Sequence, residues 1–309
     1  MESPQFDSLA QSLSPTLENL ELKRKELKMQ GHSTGMWAGG IFVVIGIILM
    51  LYLNTGFIGI CIAAGIAAFI YYACVNFKSQ ELSAYYKKEV IAKVLQSFCE
   101  NATFTPEQGI SESVFRNCGL FTSPDRYHTE DLIEGMAGKT AFSCSEVHAE
   151  ERKTRVDSKG RTSHYWVDIF KGFLFIADFQ KDFQGHTTVL RNSLFKLNFG
   201  GSRVKLENPD FEKSFDVYST NQIEARYLLT PSMMERLLKL ESDFNKGITV
   251  SFQHSNILIA IPESRNYFEA SIWKSINDPS QLKNDFGIIH ALVSIVEDLN
   301  LNTRIWTKE

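Results

Sequence analysis

The chain lacks the short motifs that identify most nucleotide-binding and hydrolytic enzymes. Its 309 residues contain no GxxxxGK[ST] phosphate loop, no GxGxxG turn after a strand, no HExxH zinc motif and no GxSxG nucleophile elbow. The predicted strands and helices also do not alternate strictly, as a parallel nucleotide-binding fold requires. These absences favour a protein that is not an enzyme, and we expect no cofactor.

Cysteine is scarce, and its spacing argues against a disulfide framework or a zinc site built from cysteines. Cys61 and Cys74 lie in an apolar stretch, while Cys99, Cys118 and Cys144 are far apart and form no CxxC pair. This usage is typical of buried thiols in a reducing compartment. An excess of basic charge is also missing, since the formal net charge is −4. We therefore expect no nucleic-acid partner.

Long apolar sequence is what the chain has in abundance. Two runs, Met36–Leu53 and Phe57–Val75, are separated only by residues 54–56. As helices of 18 and 19 residues they would be about 27–29 Å long, the thickness of one hydrocarbon core. They predict a two-helix transmembrane hairpin at 36–77, which contacts membrane lipids. Neither run contains Asp, Glu, Lys, Arg or His, which argues against a two-span transporter or proton channel.

Basic residues flank the predicted hairpin on one side only. The short turn carries none, whereas lysines and arginines precede and follow the spans: Lys23, Arg24, Lys25, Lys28, Lys78, Lys87, Lys88 and Lys93. The positive-inside rule then places both termini in the cytoplasm. Small residues at helical spacing predict close packing of the two spans on each other rather than oligomerisation: Gly35, Gly39, Gly59, Ala63 and Ala67.

Residues 1–35 predict a cytosolic amphipathic helical arm. Ser14 followed by Pro15 is a helix-start pattern, and Leu17, Leu20 and Leu27 recur at near-heptad spacing. Two heptads are too few for a coiled coil. The arm can dock on the rest of the chain, which we favour slightly, or it can lie on the bilayer or pair with a partner helix.

Residues 78–139 predict a helical stalk and a connector. The stalk continues the second span, and a short helix is expected at 111–118 with Gly119 as its stop. The sequence DRYHTEDLIEGMAGK has mixed charge and is interpreted as the connector.

Residues 140–309 predict a cytosolic α+β domain, a mainly antiparallel sheet covered by helices. Alternating apolar residues indicate strands, and N-capping residues followed by proline indicate helices beginning at Pro231 and Pro279. The predicted strands lie within 140–178 and at 187–190, 215–218, 225–229, 248–252 and 257–261.

The sequence SEVHAEE contains the best candidates for metal ligands. On a strand, Glu146, His148 and Glu150 project from one face, and one imidazole with two carboxylates can hold a divalent ion. A solvated strand face explains the same residues more simply. We therefore treat them as weak candidates.

A group of basic residues follows. Arg152, Lys153 and Arg155, with Lys159 and Arg161 in the predicted hairpin, can contact anionic lipid headgroups. A solubilising, exposed hairpin is the alternative, and nearby acidic residues favour it.

Four blocks carry a resemblance to a known family: GKTAF, FKGFLFIADF, ENPDFEKSFDVYSTNQIEARYLLTP and IVEDLNLNTRIW. Downstream of a two-helix hairpin, they resemble a bacterial membrane family catalogued as a domain of unknown function. The name galanin, sometimes attached to that family, has no physical support in these residues. The resemblance implies a bacterial inner-membrane protein and supplies no catalytic residues.

We expect a membrane-anchored, non-enzymatic scaffold or regulator that binds a protein partner at the inner membrane. A lipid- or small-ligand-binding domain at the membrane surface is the second hypothesis. The third is an unfamiliar enzyme that uses Glu146, His148 and Glu150.

Overall fold

The computed structural model describes residues 4–53, 56–179, 181–191 and 201–301. The predicted turn at 54–56 and the LNTRIW block lie largely outside these residues. The chain divides into two compact units, one made of Met1–Val94 and Tyr267–Gly287, the other of Leu95–Asn266 and Ile288–Glu309. Each unit is described separately below.

Two long helices dominate the first unit. Helix α1 spans Pro4–Leu53 and α2 spans Gly56–Tyr86, which continues through a π-helical turn, Lys87–Ile91, into α3, Ala92–Phe98. Both long helices are apolar enough to cross a membrane, and only 17% and 11% of their most apolar windows are buried. A core helix of a soluble protein would be mostly buried, so these exposures support membrane association. The second apolar helix continues to Phe98, as the sequence predicted for the start of the stalk.

The predicted start of the N-terminal helix at Ser14 is wrong. Helix α1 begins at Pro4, and Pro15 lies inside it. Leu13, two residues before the proline, is already buried, as are Leu20 and Leu27. This buried apolar stripe continues on both sides of the proline. Its burial offsets the free-energy cost of the backbone hydrogen bond that Pro15 cannot donate.

Small residues bring the two long helices together. A Cβ added at Gly39 would lie 3.3 Å from the carbonyl oxygen of Ala67, and one at Gly46 would overlap the side chain of Ala63. The predicted intramolecular packing of small residues is therefore confirmed, and the close approach increases the van der Waals contact of the two backbones.

An irregular segment, here called the strap (Tyr267–Asp278), belongs to the same unit and binds both helices. Arg24 Nη1 of α1 donates to the carbonyl oxygen of Ile272 at 2.8 Å, and Ser83 Oγ of α2 donates to that of Ala270 at 3.0 Å. The ring of Trp273 lies edge-on to His32. These hydrogen bonds satisfy strap carbonyls that no regular element would pair.

The second unit is built on one antiparallel sheet of nine strands among the described residues, in the order β1-β2-β3-β4-β9-β8-β5-β7-β6. The strands are β1 Thr103–Thr105, β2 Arg126–Ala137, β3 Thr140–Val156, β4 Thr162–Asp178, β5 Thr187–Arg191, β6 Ser202–Val204, β7 Phe215–Ser219, β8 Thr249–Gln253 and β9 Asn256–Pro262. The other helices of the described residues are α4 Glu112–Asn117, α5 Pro209–Ser214, α6 Gln222–Leu228, α7 Pro231–Phe244 and α8 Pro279–Asp298, of which α8 belongs to the first unit up to Gly287. The predicted α+β class, with an antiparallel sheet and covering helices, is confirmed.

Two local predictions are corrected. The sequence interpreted as a connector forms β2, which pairs with β1 on one side and β3 on the other. Residues 225–229, predicted as a strand, lie mostly in helix α6. Asn221 caps that helix, because its side chain accepts a hydrogen bond from the backbone N–H of Glu224.

One face of strands β3 and β4 is packed against a hydrophobic core. Val147, Ala149 and Phe170 are buried there, and Ile169 packs against their cluster. The short helix α4 contributes Phe115 to the same cluster. The opposite face is therefore available to polar side chains. They lie near the end of the sheet, where β3 is no longer paired with β2 and β4 is no longer paired with β9.

Candidate functional site

Strand β3 presents the predicted metal ligands on its polar face. Glu146, His148 and Glu150 alternate with the buried Val147 and Ala149, and each of the three is partly exposed. The prediction that they share one face of a strand is confirmed. The structure, however, gives them different neighbours.

Glu146 lies in a cluster of carboxylates with residues of β2. Glu130 is directly opposite Glu146 in the ladder, and His128 is opposite His148. A β-bulge follows, since Asp131 and Leu132 together oppose the single residue Ser145. Asp131 adopts a φ of 60° at this bulge, and one carboxylate oxygen each from Glu130, Asp131 and Glu146 lie within 4.8 Å of one another.

His148 and Glu150 are grouped instead with Asp168 of β4. Ala149 is opposite Phe170 but Glu150 is opposite Asp168, so Ile169 is an extra residue in β4. Without this bulge Asp168 would be opposite Glu151 and would face the other side of the sheet. With it, His148 Nε2 lies 2.8 Å from Asp168 Oδ1. Ligand atoms of His148, Glu150 and Asp168 lie within 4.8 Å of one another.

A cleft of about 310 Å³ opens beside these two clusters. It has both acidic and basic side chains, and its lining includes His128, Glu130, Glu146, His148, Lys171, Phe173, Glu263 and Arg265. Partial burial raises the pKa of Glu263, but hydrogen bonds from Lys246 and from the backbone of Arg265 outweigh it and lower that pKa overall. The cleft can therefore accommodate a small polar ligand that carries charge of either sign.

Strands β3 and β4 continue beyond the sheet as a two-stranded ribbon, Glu151–Val167. Six pairs, from Glu151 opposite Val167 to Val156 opposite Thr162, hold the two strands together. Pairing with β2 ends at Glu150 and pairing with β9 ends at Gly172, so neither strand of the ribbon has a second strand neighbour among the described residues. Every residue from Arg152 to Tyr165 is exposed.

The ribbon carries the basic residues predicted to face a membrane surface. Arg152, Lys153 and Arg155 lie on its first strand, and Lys159 and Arg161 lie at its turn. Five basic side chains stand against two acidic ones over Glu151–Val167. A hairpin is present at the predicted residues and is exposed, and both of its strand edges have backbone groups that are not used in the sheet.

Aromatic side chains accompany this charge. Tyr165 is 47% exposed, and the guanidinium of Arg126 lies 3.5 Å from the centre of the Trp166 ring. The stacking fixes the indole at the base of the ribbon. Aromatic side chains and Arg are enriched at protein–protein interfaces.

Sequence reasoning found three of the polar residues on β3 but missed those on neighbouring strands. His128, Glu130 and Asp131 lie in the sequence interpreted as a connector. Asp168 lies next to an apolar strand in the sequence, where an Asp most often has an ordinary structural role. Alternation identifies residues on one strand, whereas cross-strand register and bulges decide which strands bring their residues to the same place.

Comparisons with known proteins give a family match over part of the chain and no function. No curated protein matches the chain significantly. A matching solved structure is the crystal structure of the mycobacterial trehalose monomycolate transport factor A, TtfA, with 10% identity over 67% of this chain and 95% of that one, at a TM-score of 0.35. Residues 168–301, from β4 to the end of α8, match the family described as "Protein of unknown function (DUF3137)", which confirms the resemblance to a domain of unknown function.

Proposed function

We propose that the protein is a membrane-anchored, non-enzymatic scaffold whose ribbon, Glu151–Val167, binds a partner protein. The observation that carries the proposal is that this ribbon leaves the sheet and exposes both strand edges. Exposed edges are ready to pair with another strand, and proteins usually cover or shorten them. Apart from the N–H of Arg152, which donates to Asp125 Oδ2 at 2.8 Å, a partner that adds a strand would pair with edge groups outside the ribbon's own ladder.

The chemistry of the ribbon indicates the kind of partner. Its excess of basic side chains favours an acidic surface, while Tyr165 and Val156, 47% and 62% exposed, supply apolar contacts at its strands. An acidic protein segment that binds along one edge of the ribbon fits both features.

The anchor belongs to the same proposal. The two apolar helices would hold the protein in a bacterial inner membrane with both termini cytoplasmic, so that the α+β domain meets cytosolic partners. Protease added to intact spheroplasts is expected to leave the α+β domain uncut. Its removal under those conditions would refute the cytoplasmic placement.

A triple charge reversal tests the role of the ribbon. Full-length protein is purified from native membranes as wild type, as Arg152→Glu/Lys153→Glu/Arg155→Glu, and as a control with the same charge change at exposed lysines, Lys205→Glu/Lys213→Glu/Lys283→Glu. The proposal expects a stoichiometric protein partner with the wild type and the control but not with the ribbon variant. Equal recovery by all three would rule out the ribbon as the binding site.

A lipid or small-ligand function is the second candidate, and the cleft of about 310 Å³ supports it. The same three proteins distinguish the two when mixed with vesicles of neutral or anionic phospholipid. If the domain bound anionic vesicles through Arg152, Lys153 and Arg155 and no protein copurified, the lipid function would replace the scaffold.

An enzyme that uses Glu146, His148 and Glu150 is the third candidate. The non-enzymatic proposal expects that His148→Ala protein retains full function in a complementation assay. Loss of function in a variant with normal abundance, folding and partner binding would favour the enzyme.

A further inference from the structure

We infer that His148, Glu150 and Asp168 form a binding site for a divalent transition-metal ion at the base of the ribbon. The inference does not depend on the proposed scaffold function, because it concerns a ligand of the sheet itself. These ligands differ from the three expected from sequence spacing, Glu146, His148 and Glu150. Glu146 lies with carboxylates of β2, and Asp168 is the third ligand instead.

The register of β4 brings Asp168 to the same face of the sheet as His148. Ile169 is the extra residue of the bulge. Its side chain is partly buried against the hydrophobic cluster, and this contact favours the shifted register. The shift turns Asp168 to the polar face, where it meets His148. Bulges are common beside functional sites because they redirect a side chain in this way.

The potential ligand atoms of His148, Glu150 and Asp168 are almost close enough to share one ion. Ligand atoms around an ion bound at about 2.1 Å are at most about 4.2 Å apart. His148 Nε2 and Asp168 Oδ1 are 2.8 Å apart, and the three potential ligand atoms all lie within 4.8 Å of one another. The side chains of His148 and Asp168 are 36% and 60% exposed, so small rotations can bring all three atoms to an ion.

The kind of donor decides the kind of ion. Calcium and magnesium prefer sites made of oxygen atoms alone, whereas an imidazole with carboxylates suits zinc, manganese, iron or cobalt. Three protein ligands at a partly exposed position leave room for water or for a ligand from the adjoining cleft, which His148 also lines.

Two cations lie near the site, and one of them is held by an aromatic ring. Arg126 Nη1 is 4.0 Å from Glu150 Oε2, but its guanidinium stacks on Trp166. Lys171 is opposite His148 in the ladder and lines the cleft. An ion would thus join His148 and Glu150 of β3 to Asp168 of β4, at the point where both strands lose their outer neighbours.

Metal titration of the full-length protein tests the inference. The protein is purified in detergent without a histidine tag and stripped with EDTA. Zn²⁺ binding is then measured by calorimetry, and Co²⁺ binding by its visible absorption. We expect one site per chain, weakened at least about tenfold by Asp168→Asn and by His148→Gln.

Three controls keep the result interpretable. His164→Gln removes a histidine of the ribbon, which contacts Thr154, and is expected to leave Zn²⁺ affinity unchanged. Mg²⁺ is expected not to compete. Circular dichroism of the apo variants verifies folding, and Asp168→Asn is the decisive variant because it keeps the shape of an exposed side chain.

Two outcomes would overturn the inference. One is weak Zn²⁺ binding that neither Asp168→Asn nor His148→Gln changes, which would indicate adventitious surface binding only. The other is binding that Glu146→Gln abolishes while Asp168→Asn leaves it intact, because the ion would then occupy the carboxylate cluster of β2 and β3.

Discussion

Glu21 and Arg24 form a buried ion pair on α1 that holds the strap. Arg24 Nε and Nη2 donate to the two carboxylate oxygens of Glu21 at 2.9 and 2.7 Å. The pair then reaches the strap, since Arg24 donates to the Ile272 carbonyl and the N–H of Ile276 donates to Glu21 at 3.0 Å. The two residues are 7% and 8% exposed. A segment without regular structure is thereby tied to a membrane-associated helix.

Removing one member of this pair should release the strap. Arg24→Met leaves a buried carboxylate without its charged partner, which typically costs about 3 kcal/mol of folding free energy. We expect a lower unfolding temperature in detergent and faster tryptic cleavage after the exposed Lys274 of the strap. The matched control is Lys25→Met, because the Lys25 side chain is 64% exposed and lies 3.9 Å from Glu21. Equal cleavage rates in the two variants would contradict the role of the pair.

The same pair predicts a dependence on pH. Hydrogen bonds from Arg24 lower the pKa of Glu21 from 4.5 to about 2 against the effect of burial. Because the folded-state pKa is depressed, its stabilisation is complete above about pH 4.5 and is lost as the pH falls towards 2. Between pH 5 and 3 the unfolding temperature should fall more for wild-type protein than for Glu21→Gln. Parallel curves would show that Glu21 does not titrate with folding.

The elements that sequence predicted correctly are those set by local chemistry. Alternating residues identified β3, β4 and the hairpin of β8 and β9, and Thr230 before Pro231 identified the start of α7. Strand β2 was missed because the bulge at Asp131 interrupts its alternation. Pro15 was misleading because tertiary burial of Leu13 extends the helix beyond a local start pattern.

The candidate site also has a part that local sequence predicted and a part that only strand pairing defines. One strand face is a local property, so Glu146, His148 and Glu150 could be placed together from their spacing. The extra residue Ile169, which brings in Asp168, is defined only by the pairing of β4 with β3. The ribbon also depends on non-local facts, since its length follows from where β2 and β9 end.

Two buried thiols should resist alkylation in the folded protein. Burial raises the pKa of Cys118 to about 11, and it raises the pKa of Cys144 still further. At pH 8 only about one Cys118 thiol in a thousand is then ionised, and the reactive thiolate is shielded from reagent. Peptide mass spectrometry after iodoacetamide treatment should find both cysteines modified in urea but not in native protein. Rapid native modification would contradict their burial.

Gly46 is expected to be essential to the packing of the two long helices. A Cβ at this position would overlap the side chain of Ala63, whereas a Cβ at Gly40 meets no atom within 4 Å. Both substitutions to alanine increase helix propensity equally, so the pair isolates the packing effect. In Gly46→Ala, the steric overlap should cost about 1–3 kcal/mol of folding free energy, from which the gain in helix propensity is subtracted. This variant should therefore have a lower unfolding temperature in detergent. Gly40→Ala should have an unchanged or a higher unfolding temperature. A larger fall in unfolding temperature for Gly40→Ala than for Gly46→Ala would contradict this prediction. It would mean that the helix face at Gly40 is packed and that the face at Gly46 is open.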